Sequence, residues 1–388
     1  MSNSNDENKP ITAKQFMKEL RRYEKGSVTR RHFLGVTGLG TAMAVIGAAV
    51  PSLWPGKAHA FGNLGDRLVF STWPNYHNQV NLDEFTEMTG VNIQVNAFGS
   101  NEEMLAKLQA GATGWDVFVP TNYTISNYVA LDLIQEFDLS KIPNYDASSN
   151  NAMFAGPATV NGKVYCVPKN WGTTGFIVNS NKIKSGPKSW KEFFEVTSGA
   201  GSGHTILHDY QLTTIGAALC ALGYSFNSID AKELAEAEAV LINSKPHLFA
   251  ITSDYQPGMR SEDGWMSICW NGDATQLKND MAEMEYVIAT DGGEIWTDFY
   301  AIPKGAPHLE AAYAFINFMQ DPYVQAREAA VHGYAPTDSR AIALQPDSLG
   351  SDPILHPAAN LMSGLEFGAA QTLTDPIRAE VMARFKSA

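Results

Sequence analysis

The chain holds 388 residues, with 41 acidic and 28 basic side chains and a net charge of −13 at neutral pH. That balance excludes a surface built for nucleic acid or an anionic membrane, because like charge repels both. Three cysteines, an odd number, exclude a complete disulfide framework.

Taken in chain order, the first signal is Thr29-Arg30-Arg31-His32-Phe33-Leu34, which opens a Gly/Ala-rich run from Gly35 to Val50. The run is too short and too mild for a membrane span, which needs about 20 strongly apolar residues. Ala58-His59-Ala60 then supplies a small-x-small cleavage pattern. Three signals in the right order read as a twin-arginine export signal rather than as a basic amphipathic helix followed by a core helix. Residues 1–60 are therefore expected to be removed after passage through the twin-arginine translocase, with Arg30 and Arg31 as its determinants. No cysteine adjoins the cleavage pattern, so no lipid anchor is expected and the mature protein should diffuse in a periplasm. Residues 1–60 carry nine basic and four acidic side chains, which leaves 19 basic and 37 acidic, a net charge of −18. The remaining 328 residues suit two domains.

After residue 60, short apolar runs alternate with helical patterns. Leu68–Ser71 reads as a strand, Val80–Met88 as a helix and Val91–Val95, alternating with period two, as a strand. Ser100 stands three residues before Glu103, as in a capping box, and opens a helix to Gly111. Asp116–Pro120 reads as a buried strand. This β-α-β-α-β order implies a parallel sheet with right-handed crossovers. A second block follows: strand His204–Leu207, helices Leu212–Leu222 and Ala231–Ile242, strand Trp265–Trp270, a helix to about Ala282, and strand Glu285–Ala289. Phe299–Ile302 and a helix from Leu309 to Met319 return to the first block. Two α/β lobes with chain crossings near 171–178 and 296–300 make a hinge-bent clamp. Cys166, Cys220 and Cys269 each lie among apolar residues and read as buried thiols, although one disulfide is open to them in an oxidising compartment.

In open α/β sheets, ligands bind beyond the carboxyl ends of the strands. The residues there are Trp73, Asn75 and Tyr76, then Thr121 and Tyr123, then Trp270 and Asp273, with Trp296 and Asp298 at the second crossing. Any one of these aromatics alone is most simply core; their concentration at strand ends is the signal. Aromatic faces attract cations by about 0.5–2 kcal/mol per contact, and a buried carboxylate needs a positive partner. Such a site suits a linear molecule with two ammonium groups, its methylenes contributing about 0.8 kcal/mol each when buried. No Gly-x-Ser-x-Gly elbow, phosphate loop or His-Glu-x-x-His occurs, and nothing pairs a nucleophile with a base. His204 and His208 read as ordinary strand and loop residues, and Asp291-Gly292-Gly293 as a turn. No catalytic residue, metal or cofactor is therefore assigned.

Ser71–Tyr76, Ser100–Met104, Asp116–Pro120, Trp171–Gly175, Leu222–Tyr224, Cys269–Asp273, Gly292–Asp298, Ala301–Pro303 and Gly333–Thr337 together carry a resemblance over nearly the whole mature chain. It resembles the periplasmic spermidine/putrescine-binding proteins of polyamine ABC transporters. The resemblance implies an α/β, type II periplasmic-binding-protein clamp, each lobe a mostly parallel sheet flanked by helices, that closes on a ligand and docks on a membrane permease. Family ligand positions fall on Trp73, Tyr76, Thr121, Tyr123, Trp270, Trp296, Asp298 and Tyr334. Asp273 matches an acid of the putrescine-preferring branch. Asn75 stands where an acid is common. Tyr210 and Thr213 align with ligand carboxylates, for which Asp209 is a substitute one residue out of register. Fewer carboxylates argue against a long triamine and leave a diamine, a monoamine or a quaternary ammonium compound.

The expectation is a monomeric, non-enzymatic receptor that feeds a putrescine- or spermidine-like polyamine to an ABC importer. The alternatives are a betaine-like solute or, further off, an exported enzyme or ferric-iron-binding protein on the same clamp. The expected divisions are 1–60 signal, 61–174 first lobe, 175–297 second lobe, 298–345 return to the first lobe, and 346–388 a C-terminal helical segment.

Overall fold

The computed structural model describes residues 64–111 and 114–388. The export segment with Arg30 and Arg31 lies outside the described residues.

The chain starts with strand β1 (Arg67–Thr72), helix α1 (Gln79–Thr89), strand β2 (Asn92–Ala97), helix α2 (Asn101–Gln109) and the two-residue strand β3 (Val117–Phe118). Each boundary has a local cause. The Asn78 side chain accepts the Val80 N–H at α1, and Gly90, at φ 77°, ends that helix. Ser100 Oγ accepts the Glu103 N–H at 3.1 Å, as the box predicts. The return bond differs: Glu103 Oε2 accepts from Gly99, one residue further back, at 2.9 Å. Asp116 ties β1 to the loop beyond, with Oδ2 accepting from Val69 N at 2.7 Å and Oδ1 from His308 N at 2.8 Å. β1 pairs in parallel with both β2 and β3, as expected.

A short hairpin, β4 (Thr159–Val160) and β5 (Lys163–Val164), precedes β6 (Cys166–Asn179), a strand of 14 buried residues that runs from one lobe into the other. Helix α3 (Trp190–Thr197), β7 (Thr205–Leu207), α4 (Gln211–Ala221), α5 (Ala231–Ser244), β8 (Leu248–Ile251), β9 (Met266–Trp270), α6 (Asn271–Asp280) and β10 (Met284–Val287) build the second lobe. The chain returns through β11 (Gly293–Ala301) to α7 (Leu309–Met319) and α8 (Pro322–His332). β12 (Leu365–Phe367) then pairs with β11, and α9 (Pro376–Ser387) packs beside α5, where Arg384 Nε meets Glu238 Oε1 at 2.6 Å.

The sheet order is β2-β1-β3-β11-β6-β9-β7-β8. Parallel pairing holds inside each lobe, at β1–β2, β1–β3, β7–β8 and β7–β9. At the crossings the sheet is antiparallel: β6 pairs with β11, β9 and β10, and β11 with β3. The reason is topological, since β6 carries the chain out of the first lobe and β11 carries it back. The result is a mixed, two-lobed clamp.

Leu68, Phe70, Leu82, Phe85, Val117 and Phe315 fill the first lobe beneath α1 and α7, each apolar side chain contributing roughly 1.5–3 kcal/mol on burial. Phe176, Trp190, Phe193, Ile215, Leu219 and Phe385 fill the second. That second core is continuous with Phe98, Met104 and Leu105 of the first lobe, so the lobes touch along one side. Cys166, Cys220 and Cys269 are buried and unpaired; burial pushes all three thiols up, that of Cys220 to about 12.

Candidate functional site

Between the lobes lies a cleft of about 970 Å³ of non-atom space, part of it open to solvent. Its walls come from strand ends, as the topology requires. Trp73, Asn75 and Tyr76 follow β1; Thr121 and Tyr123 follow β3; Trp270 and Asp273 stand where β9 runs into α6; Trp296 and Asp298 lie on β11; and Tyr334 follows α8. The structure thus brings ten sequence-expected residues to one cavity, with Asp209 and Tyr210 at the start of α4.

Thr213 is not among the lining residues. It sits one turn into α4, 1 % exposed, with its hydroxyl 3.0 Å from His208 Nδ1, because the side chain points back along the helix to the preceding loop. Asn75 is exposed at the cleft rim with φ 55°, a left-handed position that asparagine tolerates, so it serves the turn after β1 where the family often has an acid.

The aromatic walls are held in place by specific contacts. Trp73 donates from Nε1 to Val119 O at 3.1 Å and meets Trp270 edge-on at 6.3 Å. Trp296 and Tyr334 meet edge-on at 5.3 Å, as do Tyr76 and Tyr334 at 5.1 Å. Two glycines make this possible. A Cβ on Gly172 would strike Trp296 Cζ2 at 2.5 Å and the Asn271 amide oxygen, and one on Gly272 would strike the Tyr334 ring at 2.5 Å. Gly333, at φ 78°, lets the chain turn into Tyr334 against the Gly272 backbone.

Asp298 is 5 % exposed. Its Oδ2 accepts the Tyr76 hydroxyl at 2.8 Å, and that hydroxyl also lies against Asn170 Oδ1. Oδ1 has no hydrogen-bond partner of normal geometry. Burial raises the Asp298 pKa to about 7, opposed by the Thr121 and Tyr76 hydroxyls and by Lys169. The Lys169 ammonium stands 4.3 Å from the centre of the Tyr76 ring and 3.4 Å from Glu328 Oε2, both ends of that ion pair being buried. Asp273 Oδ1 accepts the Tyr334 hydroxyl at 2.9 Å, and burial raises its pKa against the pull of Gln256, Tyr334 and Tyr255. Asp209 Oδ1 accepts from Ser253 N at 3.2 Å and from the Ser253 hydroxyl.

Sequence reasoning missed several lining residues: Asn101, whose Nδ2 donates to Thr121 Oγ1 and to the Tyr123 hydroxyl at 3.1 Å each, Asp254, Gln256 and above all Glu294. Glu294 is 2 % exposed, accepts the Thr174 hydroxyl at 2.6 Å, and is raised by burial to about 8, with Asp298 adding to the rise. The signal was present, since Glu294, Trp296 and Asp298 are alternate residues of one strand. The expectation of a carboxylate-poor pocket is therefore corrected: Asp209, Asp254, Asp273, Glu294 and Asp298 all line the cleft. No Lys, Arg or His is among its lining residues. Among the described residues no group of three or more His, Cys, Asp or Glu side chains is arranged to hold a metal ion. His204 instead stacks on Trp265 at 3.6 Å, and His208 is buried, its pKa lowered to about 3 by desolvation.

Fold and cleft together define a class: a receptor that encloses a small solute between two lobes. The family of bacterial extracellular solute-binding proteins matches residues 82–357. A spermidine/putrescine-binding periplasmic protein of Salmonella typhimurium is 31% identical over 322 residues, 82% of this chain and 90% of that protein. A putrescine-binding periplasmic protein of Pseudomonas aeruginosa is 28% identical over 76% of this chain and 84% of that protein. A solved structure from Listeria monocytogenes, named for a spermidine/putrescine ABC transporter, superposes with a TM-score of 0.77 at 28% identity, over 83% of this chain and 99% of that one. This chain belongs to the bacterial extracellular solute-binding protein family, and the two curated relatives named here are periplasmic binding proteins.

Proposed function

We propose that this protein is the periplasmic receptor of an ABC importer and that its cargo is a small linear polyamine. The observation that carries this reading is the composition of the cleft: five carboxylates and a set of aromatic faces, with no basic side chain in the lining. Ammonium groups satisfy buried carboxylates, and aromatic faces bind both cations and methylenes. The spermidine/putrescine and putrescine proteins named above support the same ligand class. A betaine-like zwitterion fits less well, since its carboxylate finds no cation in the lining. The curated relatives named above are binding proteins, which supports binding and delivery rather than turnover.

In this reading residues 61–174 and 298–345 move as one lobe, and residues 175–297, with the C-terminal helix α9 packed on α5, move as the other. The strands β6 and β11 bend between them, and closure presents both lobes to the permease. Tryptophan-lined walls then shut on the ligand and exclude water. Delivery to the periplasm uses the twin-arginine route. Replacing Arg30 and Arg31 together by Lys should abolish periplasmic accumulation in fractionated cells, and normal accumulation would refute that route. The cargo is tested by a thermal-shift panel on ligand-stripped protein, because a tight ligand raises stability by RT ln(1 + [L]/Kd). Diamines and triamines should raise the melting temperature while betaine and amino acids do not. A betaine shift without an amine shift would overturn the reading.

A further inference from the structure

We infer that Glu294 is a second ammonium-binding carboxylate, set across Trp296 from Asp298 on β11, and that the three acids Asp298, Glu294 and Asp273 select a linear triamine over a diamine. The inference rests on the polyamine reading above and deepens it.

The geometry comes from the strand. Glu294, Trp296 and Asp298 occupy alternate positions of β11 and all three line the cleft. The intervening residues do not line the cleft: Ile295 packs with Phe154, Trp171 and Ala335, and Thr297 is absent from the lining. At about 3.3 Å per residue, the two acidic positions stand roughly 13 Å apart along the strand, with the indole between them. A polymethylene chain laid on that indole carries one ammonium group to each side.

The chemistry of Glu294 agrees. The side chain is buried, accepts a single hydrogen bond of 2.6 Å from Thr174 Oγ1, and has no Lys, Arg or His within ion-pair distance among the described residues. A carboxylate buried in that way lacks the positive partner that burial demands. Asp298 is also without an ion pair: one oxygen accepts from Tyr76, the other has no hydrogen bond of normal geometry, and Lys169 acts on it only from behind the Tyr76 ring. Asp273 reaches the cleft from the second lobe, already steadied by Tyr334. Three acids that line one aromatic cleft match three ammonium groups.

The test is a calorimetric titration of ligand-stripped protein with spermidine, 1,4-diaminobutane and butylamine, for wild type, Glu294→Gln, Glu294→Asp and Asp298→Asn. Gln keeps an acceptor for Thr174, so folding is preserved, and the melting temperature of each variant checks it. Glu294→Gln should weaken spermidine by roughly 10–100-fold and butylamine by less than about threefold, with Glu294→Asp between wild type and Gln. Unchanged spermidine binding in Glu294→Gln, or equal losses for spermidine and butylamine, overturns the inference. If Asp298→Asn loses every amine while Glu294→Gln loses none, the inference alone fails. If wild type binds no amine, the polyamine reading fails with it.

Discussion

Amine binding should tighten as pH rises, and the size of the effect follows from two carboxyl groups. In the open cleft burial lifts Asp298 to about 7 and Glu294 to about 8. Asp298 faces Tyr76, Thr121 and, behind the Tyr76 ring, Lys169; Glu294 faces Thr174, Asp298 and, at longer range, Arg378. An aliphatic amine, with an ordinary pKa of about 10.4, stays charged throughout the physiological range. It pairs with the ionised carboxylate, so below each raised pKa a proton must leave as the ligand enters. Each group then weakens binding by up to tenfold per pH unit, about 1.4 kcal/mol. A polyamine that touches both acids should bind roughly 10²–10³-fold more weakly at pH 6 than at pH 8.5. Titration calorimetry in two buffers of different ionisation enthalpy reads both the affinity and the protons released. The same groups act on folding with the opposite sign. Their folded pKa values lie above the ordinary carboxylate values of about 3.9 and 4.3, so the stability they contribute is present in acid and lost as pH rises through about 7 and 8. The unliganded wild type should therefore lose more stability than Asp298→Asn between pH 5 and pH 8.5, and saturating amine should remove that difference. An affinity flat from pH 6 to 8.5 with no proton release would refute the reasoning.

Gly272→Ala should leave the protein folded but weaken diamine binding by about tenfold, since a Cβ 2.5 Å from the Tyr334 ring forces that ring away from Asp273; fluorescence titration measures it, and wild-type affinity would contradict it. Lys169→Met strands the buried Glu328 carboxylate, which still accepts from Asn78 N at 2.9 Å and Asn81 Nδ2 at 2.8 Å, and should cost about 3–5 kcal/mol in urea denaturation. Adding Glu328→Gln should restore at least half of that loss, because the charge that lacked a partner is gone.

Much of the fold was legible because the early strands and helices obey simple periods. Leu68–Ser71 is nearly the observed β1, Leu309–Met319 matches α7, and Ser100 marks the start of α2. Of β6 the sequence shows only a crossing near 171–178, because Pro168, Gly172 and Gly175 interrupt a simple strand pattern. In the fold those glycines are where Trp296, Asn271 and the Val287 carbonyl press against the strand, a demand set by tertiary packing alone. Glu294 was hidden for a related reason. Gly292-Gly293 reads as a turn and the apolar run marks the return strand only from Phe299, which masks the alternation that joins Glu294 to Trp296 and Asp298. Asn101 reaches the cleft from the start of α2, Asp254 and Gln256 together from the turn after β8, and no spacing in the chain links the two places. Thr213 follows Tyr210 by three residues, on the same side of the helix, but its short side chain turns its hydroxyl to His208 and is not among the residues that line the cleft.

The central claim is that the acidic, aromatic cleft exists to hold linear polyamines. Its most direct test is a calorimetric titration of refolded, ligand-stripped wild-type protein at pH 8 with spermidine, 1,4-diaminobutane and glycine betaine. The account predicts saturable binding of both amines with Kd of about 10 µM or tighter, equivalent to roughly −7 kcal/mol or better, and no heat from betaine. Betaine binding in that range, with no heat from either amine, would contradict it.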